Sequence, residues 1–101
     1  LLRQALEISE EKLGKDHPAL ATRLNNLAEI YRAQRKLAEA RSHYQRMLSI
    51  VFLHRKRNGT PFRGEETMVE NYTFLLEEMH RTPEQIRAEI EAIKKEVGLE
   101  D

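Results

Sequence analysis

Apolar residues recur at intervals of three and four along the chain, and this spacing constrains the fold more than any other feature of the sequence. The clearest run is Leu20, Leu24, Leu27 and Tyr31, which lie on one face of an α-helix because 3.6 residues make one turn. No segment has the alternation of apolar and polar residues that is typical of a half-buried β-strand. The sequence therefore predicts an all-α fold.

About five helices are predicted from this spacing, at 1–13, 18–34, 37–54, 65–80 and from residue 82 onward. Pro18 suits a first helical turn, and Asp16 or His17 can cap the free amides before it. Thr82-Pro83-Glu84-Gln85 is a capping box that opens the last helix. The predicted core of the last four helices is Leu20, Leu24, Leu27, Tyr31, Leu37, Ala40, Tyr44, Leu48, Val51, Phe52, Met68, Val69, Tyr72, Leu75, Leu76, Met79, Ile86, Ile90, Ile93 and Val97.

The composition argues against several classes of function. The 101 residues include no cysteine, which excludes disulfides and thiolate zinc sites and suits a reducing, cytoplasmic location. No apolar run approaches the roughly 20 residues that cross a bilayer. The four histidines form no i, i+4 pair, and there is no Ser-His-Asp order, no phosphate-binding glycine loop and no carboxylate pair with a plausible pocket. We therefore expect no metal, no cofactor and no enzymatic activity.

The sequence repeats itself at long intervals. Residues 4–9 align with 46–51 at an offset of 42, and residues 22–31 align with 67–76 at an offset of 45. Each unit is a predicted helix–turn–helix pair that is too small to bury its own apolar face, so neighbouring units complete the core by stacking. Because the first residues already have helical spacing and no initiator Met precedes them, we expect a fragment of a longer repeat array.

Leu27, Ala28 and Tyr31 on one helix, with Ala40 and Tyr44 on the next, resemble the pattern of a tetratricopeptide repeat. The longer unit of about 42 residues, with LGKDHP followed by LNNLAEIY, resembles the kinesin light chain type of repeat. The resemblance implies an α-solenoid fragment of antiparallel helix–turn–helix repeats. We expect the second helix of a truncated repeat at 1–17, a complete repeat at 18–57 and a divergent capping repeat at 58–101.

The sequence departs from the repeat pattern at two positions in its best unit. Arg35 stands where the pattern expects a glycine between paired helices, and Met47 stands where it usually has alanine. The small residue at Ala40 fits the pattern, since the two helices of a pair approach each other closely there.

The resemblance also implies a concave groove that is lined by the first helix of each pair, where peptides bind. The positions carried over are Thr22, Asn25, Glu29, Arg32 and Ala33 in the complete unit, and Thr67, Glu70, Phe74, Glu77 and Glu78 in the last one. The Asn25 amide could bind a peptide backbone, and Arg32 could bind a carboxylate. Asn26, in the same register as Asn71, is expected to be the structural asparagine that hydrogen-bonds across the helix pair.

We therefore expect a non-catalytic module for protein–protein interaction, with a protein or peptide as the partner and no membrane contact. The alternative is self-association into homo-oligomers through exposed terminal helices, where Leu2 and Leu6 have lost their partner. A nucleic-acid partner for the basic stretch 54–57 and Arg63 is a third hypothesis, ahead only of an enzyme. That stretch carries only about four charges and one interleaved aromatic residue, and cations at a helix end already suit the helix dipole.

Overall fold

Residues 17–99 are described by the computed structural model of the chain. They form four α-helices: α1 (Ala19–Ala33), α2 (Leu37–Asn58), α3 (Glu65–Glu78) and α4 (Pro83–Glu96). Between residues 17 and 99 there is no β-strand, so the expectation of an all-α fold is confirmed. The helix predicted at 1–13 and the capping residue Asp16 lie outside the described residues.

α1 and α2 form a closely packed pair, and α3 and α4 follow it in the chain. A connection of only three residues, 34–36, joins α1 to α2, so that α2 runs back along α1 and packs against it more extensively than any other two helices of this part of the chain. α2 also packs against α3 and α4, whereas α3 and α4 contact each other less. α2 is therefore the helix around which the other three assemble.

Two helix starts were predicted from capping chemistry, and both are confirmed. The Thr82 hydroxyl accepts a hydrogen bond from the Gln85 backbone N–H at 3.1 Å, and the Gln85 side chain accepts one from the Thr82 N–H at 2.9 Å. At the start of α1, His17 Nδ1 accepts a hydrogen bond from the Ala19 N–H at 3.1 Å. Local side chains thus satisfy amides that the helices themselves leave unpaired.

The end of α2 differs from the prediction, because the helix continues for one more turn past His54 to Asn58. The Asn58 side-chain amide donates to the His54 carbonyl at 2.9 Å, and Arg55 pairs with Glu65 across 3.4 Å. Gly59 then ends the helix in a left-handed conformation with a φ of 74°. Basic residues in the last turn suit the negative end of the helix dipole, which is why the basic stretch extends the helix.

The core lies among the four helices and is centred on two buried tyrosines, Tyr44 and Tyr72. Their rings meet edge to face with centroids 6.4 Å apart, a favourable geometry for aromatic pairs.

Of the predicted core residues, six are only half-buried: Tyr31, Leu37, Val69, Met79, Ile90 and Val97. Four buried residues were not predicted: Ala21, Ala28, Met47 and Ile50. Met47 fills a fully buried position, so the departure from alanine there adds core volume.

A polar network around Tyr72 joins α2, α3 and α4. The Gln45 amide donates to the Tyr72 hydroxyl at 3.2 Å, and that hydroxyl donates to Glu89 at 3.1 Å. Glu89 also accepts a hydrogen bond from Arg41 and lies 3.7 Å from Arg81. Burial is the main cause of a raised pKa for the Tyr72 hydroxyl. This hydroxyl therefore stays protonated and keeps its donor role at neutral pH.

Two residues other than glycine have positive φ angles in the described part of the chain: Arg35 at 62°, between α1 and α2, and His80 at 63°, after α3. A side chain in this left-handed conformation costs roughly 1–2 kcal/mol because Cβ crowds the following carbonyl. Glycine avoids that cost. This explains physically why the repeat pattern has glycine at the position of Arg35.

We expect His80→Gly to raise the free energy of unfolding by about 0.5–1 kcal/mol, because relief of backbone strain exceeds the extra chain entropy of glycine in the unfolded state. Urea unfolding followed by circular dichroism measures the change. The reciprocal control is Gly59→Ala, since a Cβ at Gly59 would meet no atom within 4 Å and therefore tests the backbone alone. That control should lose about 1 kcal/mol. A less stable His80→Gly protein would contradict the strain explanation.

Candidate functional site

The predicted groove residues lie on adjoining faces of α1 and α3. Their spacing places four of them on one face of α1 and three on one face of α3: Thr22, Asn25, Glu29 and Arg32, and Glu70, Phe74 and Glu77. The two faces are connected by side-chain contacts. Asn71 of α3 donates a hydrogen bond to the Asn25 side-chain oxygen at 3.1 Å, and Arg32 pairs with Glu78 at the end of α3.

The expected roles of the paired asparagines need correction. Asn25, not Asn26, makes the hydrogen bond across the helices, and Asn26 is exposed. Successive residues of an α-helix point about 100° apart, so only one of two neighbouring asparagines can face α3. The Asn25 amide also lies 3.5 Å from Glu29. The Asn25 side chain is half-buried, and both its oxygen and its amide nitrogen contact other side chains of the protein.

Glu78 binds two arginines at once. Its Oε1 accepts a hydrogen bond from Arg32 Nε, and its Oε2 lies 2.9 Å from Arg35 Nη1. The hydrogen bond from Arg32, together with the charges of both arginines, lowers the pKa of the Glu78 carboxyl. The same pairing raises the pKa of Arg32. Arg32 was expected to bind a carboxylate of a ligand. In this structure it binds the carboxylate of Glu78 instead.

An open, shallow cavity of about 350 Å³ lies over this cluster. Its lining residues are Glu29, Arg32, Ala33, Arg35 and Glu78. Glu29, Arg32, Ala33 and Glu78 belong to the predicted groove residues. Arg35 was not predicted to contribute, since only its place at a turn was apparent from the sequence.

The buried hydroxyl of Tyr44 lies close to Glu29, Arg32 and Glu78, three of the residues that line this cavity, and was not recognised in the sequence. Burial raises the pKa of this hydroxyl, the charge of Glu29 raises it further, and Arg32 lowers it. The side chain is fully buried, and its hydroxyl has no hydrogen-bond partner within residues 17–99. The apolar spacing predicted only that Tyr44 is a core residue, because helical periodicity does not indicate where the hydroxyl of a buried tyrosine lies.

The remaining predicted residues form the exposed part of the surface. Thr22, Glu70, Phe74 and Glu77 are all exposed. Phe74 has 51 % of its surface in contact with solvent, and only one other large apolar residue of the described chain, Ile30 at 40 %, is similarly exposed. An aromatic ring that is not buried by its own fold is typical of a contact surface.

The basic stretch that was considered for nucleic acid is largely built into the end of α2. Arg55 pairs with Glu65, and the His54 ring packs edge-on against Phe62 with centroids 5.3 Å apart. Nothing in these contacts supports a phosphate site. Among residues 17–99 no three metal-ligating side chains come together, and no helix there is both long and apolar enough to cross a membrane.

The sequence model of the tetratricopeptide repeat matches residues 1–51, about half of the chain. The chain belongs to the tetratricopeptide repeat family. Searches of curated proteins and of solved structures gave no match. Tetratricopeptide repeats are non-catalytic scaffolds that mediate protein–protein interaction. The match is to tetratricopeptide repeats in general, so the kinesin light chain type stays a prediction.

Within the tetratricopeptide repeat, α1 and α2 are the helix pair that carries the matched Leu27, Ala28, Tyr31, Ala40 and Tyr44. Ala28 and Ala40 are both fully buried. The small side chains let the two helices approach each other closely, while Tyr44 fills the space beyond the pair.

Proposed function

We propose that this chain is a non-catalytic interaction module that binds a peptide or protein partner on the concave surface formed by α1 and α3. The exposed Phe74, on the helix α3 whose contacts join it to α1, is the observation that carries this proposal. Membership of the tetratricopeptide repeat family supports it. A cytoplasmic location, in keeping with the cysteine-free sequence, belongs to the same proposal, as does the assignment of residues 58–101 as a divergent capping repeat.

Phe74 is a better target for testing the surface than Asn25 or Arg32. Those two side chains hold α1 against α3, so their loss would change the relative position of the helices as well as any ligand contact. The Phe74 ring is half exposed, and its truncation leaves no polar group without its partner. A change in binding on truncation therefore reports on contact with the ligand.

We expect a random peptide library panned on this chain to yield peptides that bind Phe74→Ala at least about tenfold more weakly, the loss typical of truncating a central aromatic contact. The matched control is Ile30→Ala, which truncates the other exposed apolar residue on a different face of α1. Binding is measured by fluorescence anisotropy. Peptides that bind the parent and Phe74→Ala equally would contradict the assignment of the surface.

Self-association is the second candidate function, and it rests on the terminal helix, which lies outside the described residues. Light scattering across a concentration series separates the two candidates. A monomer at all concentrations that still binds peptides supports the interaction module. A concentration-dependent dimer that Leu2→Ala with Leu6→Ala weakens, with no peptide enriched, would favour assembly instead.

A further inference from the structure

The charge on the α1–α3 surface is uneven, and the imbalance follows from the pairing of Glu78. The two cationic side chains there, Arg32 and Arg35, both bind Glu78. By contrast, the carboxylates of Glu70 and Glu77 pair with no cation among residues 17–99. Exposed Glu66 extends the same face of α3 by one turn, and its carboxylate also pairs with no cation among residues 17–99. The arginines are therefore engaged internally, and the charge presented to a partner is negative.

Phe74 lies between these carboxylates on the same face of α3. Glu70 precedes it by four residues and Glu77 follows it by three, spacings that bring side chains together on a helix surface. A lysine or arginine side chain laid across the ring would place its aliphatic stem on an apolar surface and its charged group near a carboxylate. The ring face itself attracts a cation. Apolar contact and charge thus both favour a ligand with lysine or arginine side chains.

We propose that the partner segment bound by this surface is a basic peptide, with lysine or arginine side chains flanking an apolar residue that packs on Phe74. This inference rests on the proposed function and names the chemistry of its ligand. An acidic peptide is disfavoured because it would face Glu70 and Glu77 and would have to displace Glu78 from two arginines. Like charges brought together at an interface weaken binding and slow association.

The test compares three labelled peptides of the same length and apolar residues, based on the sequence GKLKLKLKG. In the second peptide glutamine replaces each lysine, and in the third glutamate does. We expect the basic peptide to bind at least about tenfold more tightly than either of the others in fluorescence anisotropy. Its affinity should fall between about 50 mM and 200 mM salt, because the charges involved are exposed to solvent.

Variants of the protein assign the effect to this surface. Glu70→Lys combined with Glu77→Lys should weaken binding of the basic peptide by at least about tenfold, since two attractive charges become repulsive. The matched control, Glu39→Lys with Glu91→Lys, makes the same change in net charge at exposed positions on α2 and α4 and should retain binding. Circular dichroism confirms that both variants keep the parent's helicity.

The outcomes separate this inference from the proposed function. One outcome is that the glutamine or glutamate peptide binds as tightly as the basic peptide and that Phe74→Ala weakens the binding of all of them. In that case the surface binds peptides, but the preference for a basic peptide is overturned. If both pairs of charge variants lose binding equally, the attraction is non-specific and the inference is again overturned. If no panned or synthetic peptide shows any dependence on Phe74, the proposed function itself fails.

Discussion

Tyr72→Ala is expected to lower the free energy of unfolding by about 3–5 kcal/mol, the range for truncating a buried aromatic residue. Tyr72 is fully buried and contacts the Tyr44 ring. Its hydroxyl also links Gln45 to Glu89. For a domain of this size the total stability is of order 5–15 kcal/mol, so the variant should be close to unfolding at 25 °C. Urea unfolding followed by circular dichroism measures the loss.

Two conservative variants divide this effect between packing and hydrogen bonding. Tyr72→Phe keeps the ring and should cost about 1–2 kcal/mol, because Gln45 and Glu89 lose a shared partner. Tyr44→Phe is the matched control, since the Tyr44 hydroxyl has no hydrogen bond within residues 17–99, and it should be neutral or slightly stabilising. Equal losses in the two phenylalanine variants would contradict the described network.

Ala40→Leu is expected to lower the free energy of unfolding by about 1–3 kcal/mol, because additional methyl groups in a packed interior force neighbouring side chains or backbone to move. Ala40 is fully buried at the close approach of α1 and α2. The same substitution at exposed Ala38, two residues earlier on the same helix, is the matched control and should change stability by less than about 0.5 kcal/mol. Thermal and urea unfolding of both variants test the difference.

The reverse result would also be informative. If Ala40→Leu were as stable as Ala38→Leu, the helix pair would have to separate without loss of packing elsewhere. Protein interiors are too densely packed for a separation of this kind to occur without cost. Such a result would therefore contradict the close contact between α1 and α2.

Helix positions were the most predictable part of the fold, because they depend on local chemistry. The start of α4 follows from Thr82 and Gln85, two residues three apart, and the start of α1 from His17 and Pro18. The end of α2 was less predictable, since the extra turn depends on a contact between Arg55 and Glu65. That contact forms only once α3 has folded back along α2.

The candidate surface was predictable as a set of positions but not as a set of interactions. Repeat register placed Asn25 and Arg32 on one face of α1, and in the structure both side chains contact α3. Which asparagine meets Asn71, and whether Arg32 is available to a ligand, depend on the rotation of one helix pair against the next. The partners in both contacts lie 46 residues apart in the sequence, and no local pattern encodes that rotation.

The contacts between α1 and α3 also have a mechanical consequence. They are polar, an amide hydrogen bond and a carboxylate shared by two arginines, whereas the contacts behind them in the core are apolar. In a solenoid, the angle between successive units fixes the curvature of the whole array. Exposed ion pairs weaken as salt rises, and apolar packing does not. We therefore expect the α1–α3 side of the array to deform more easily than the apolar core. A bound segment or a change in ionic strength would then alter the curvature of the array while the core packing stays unchanged.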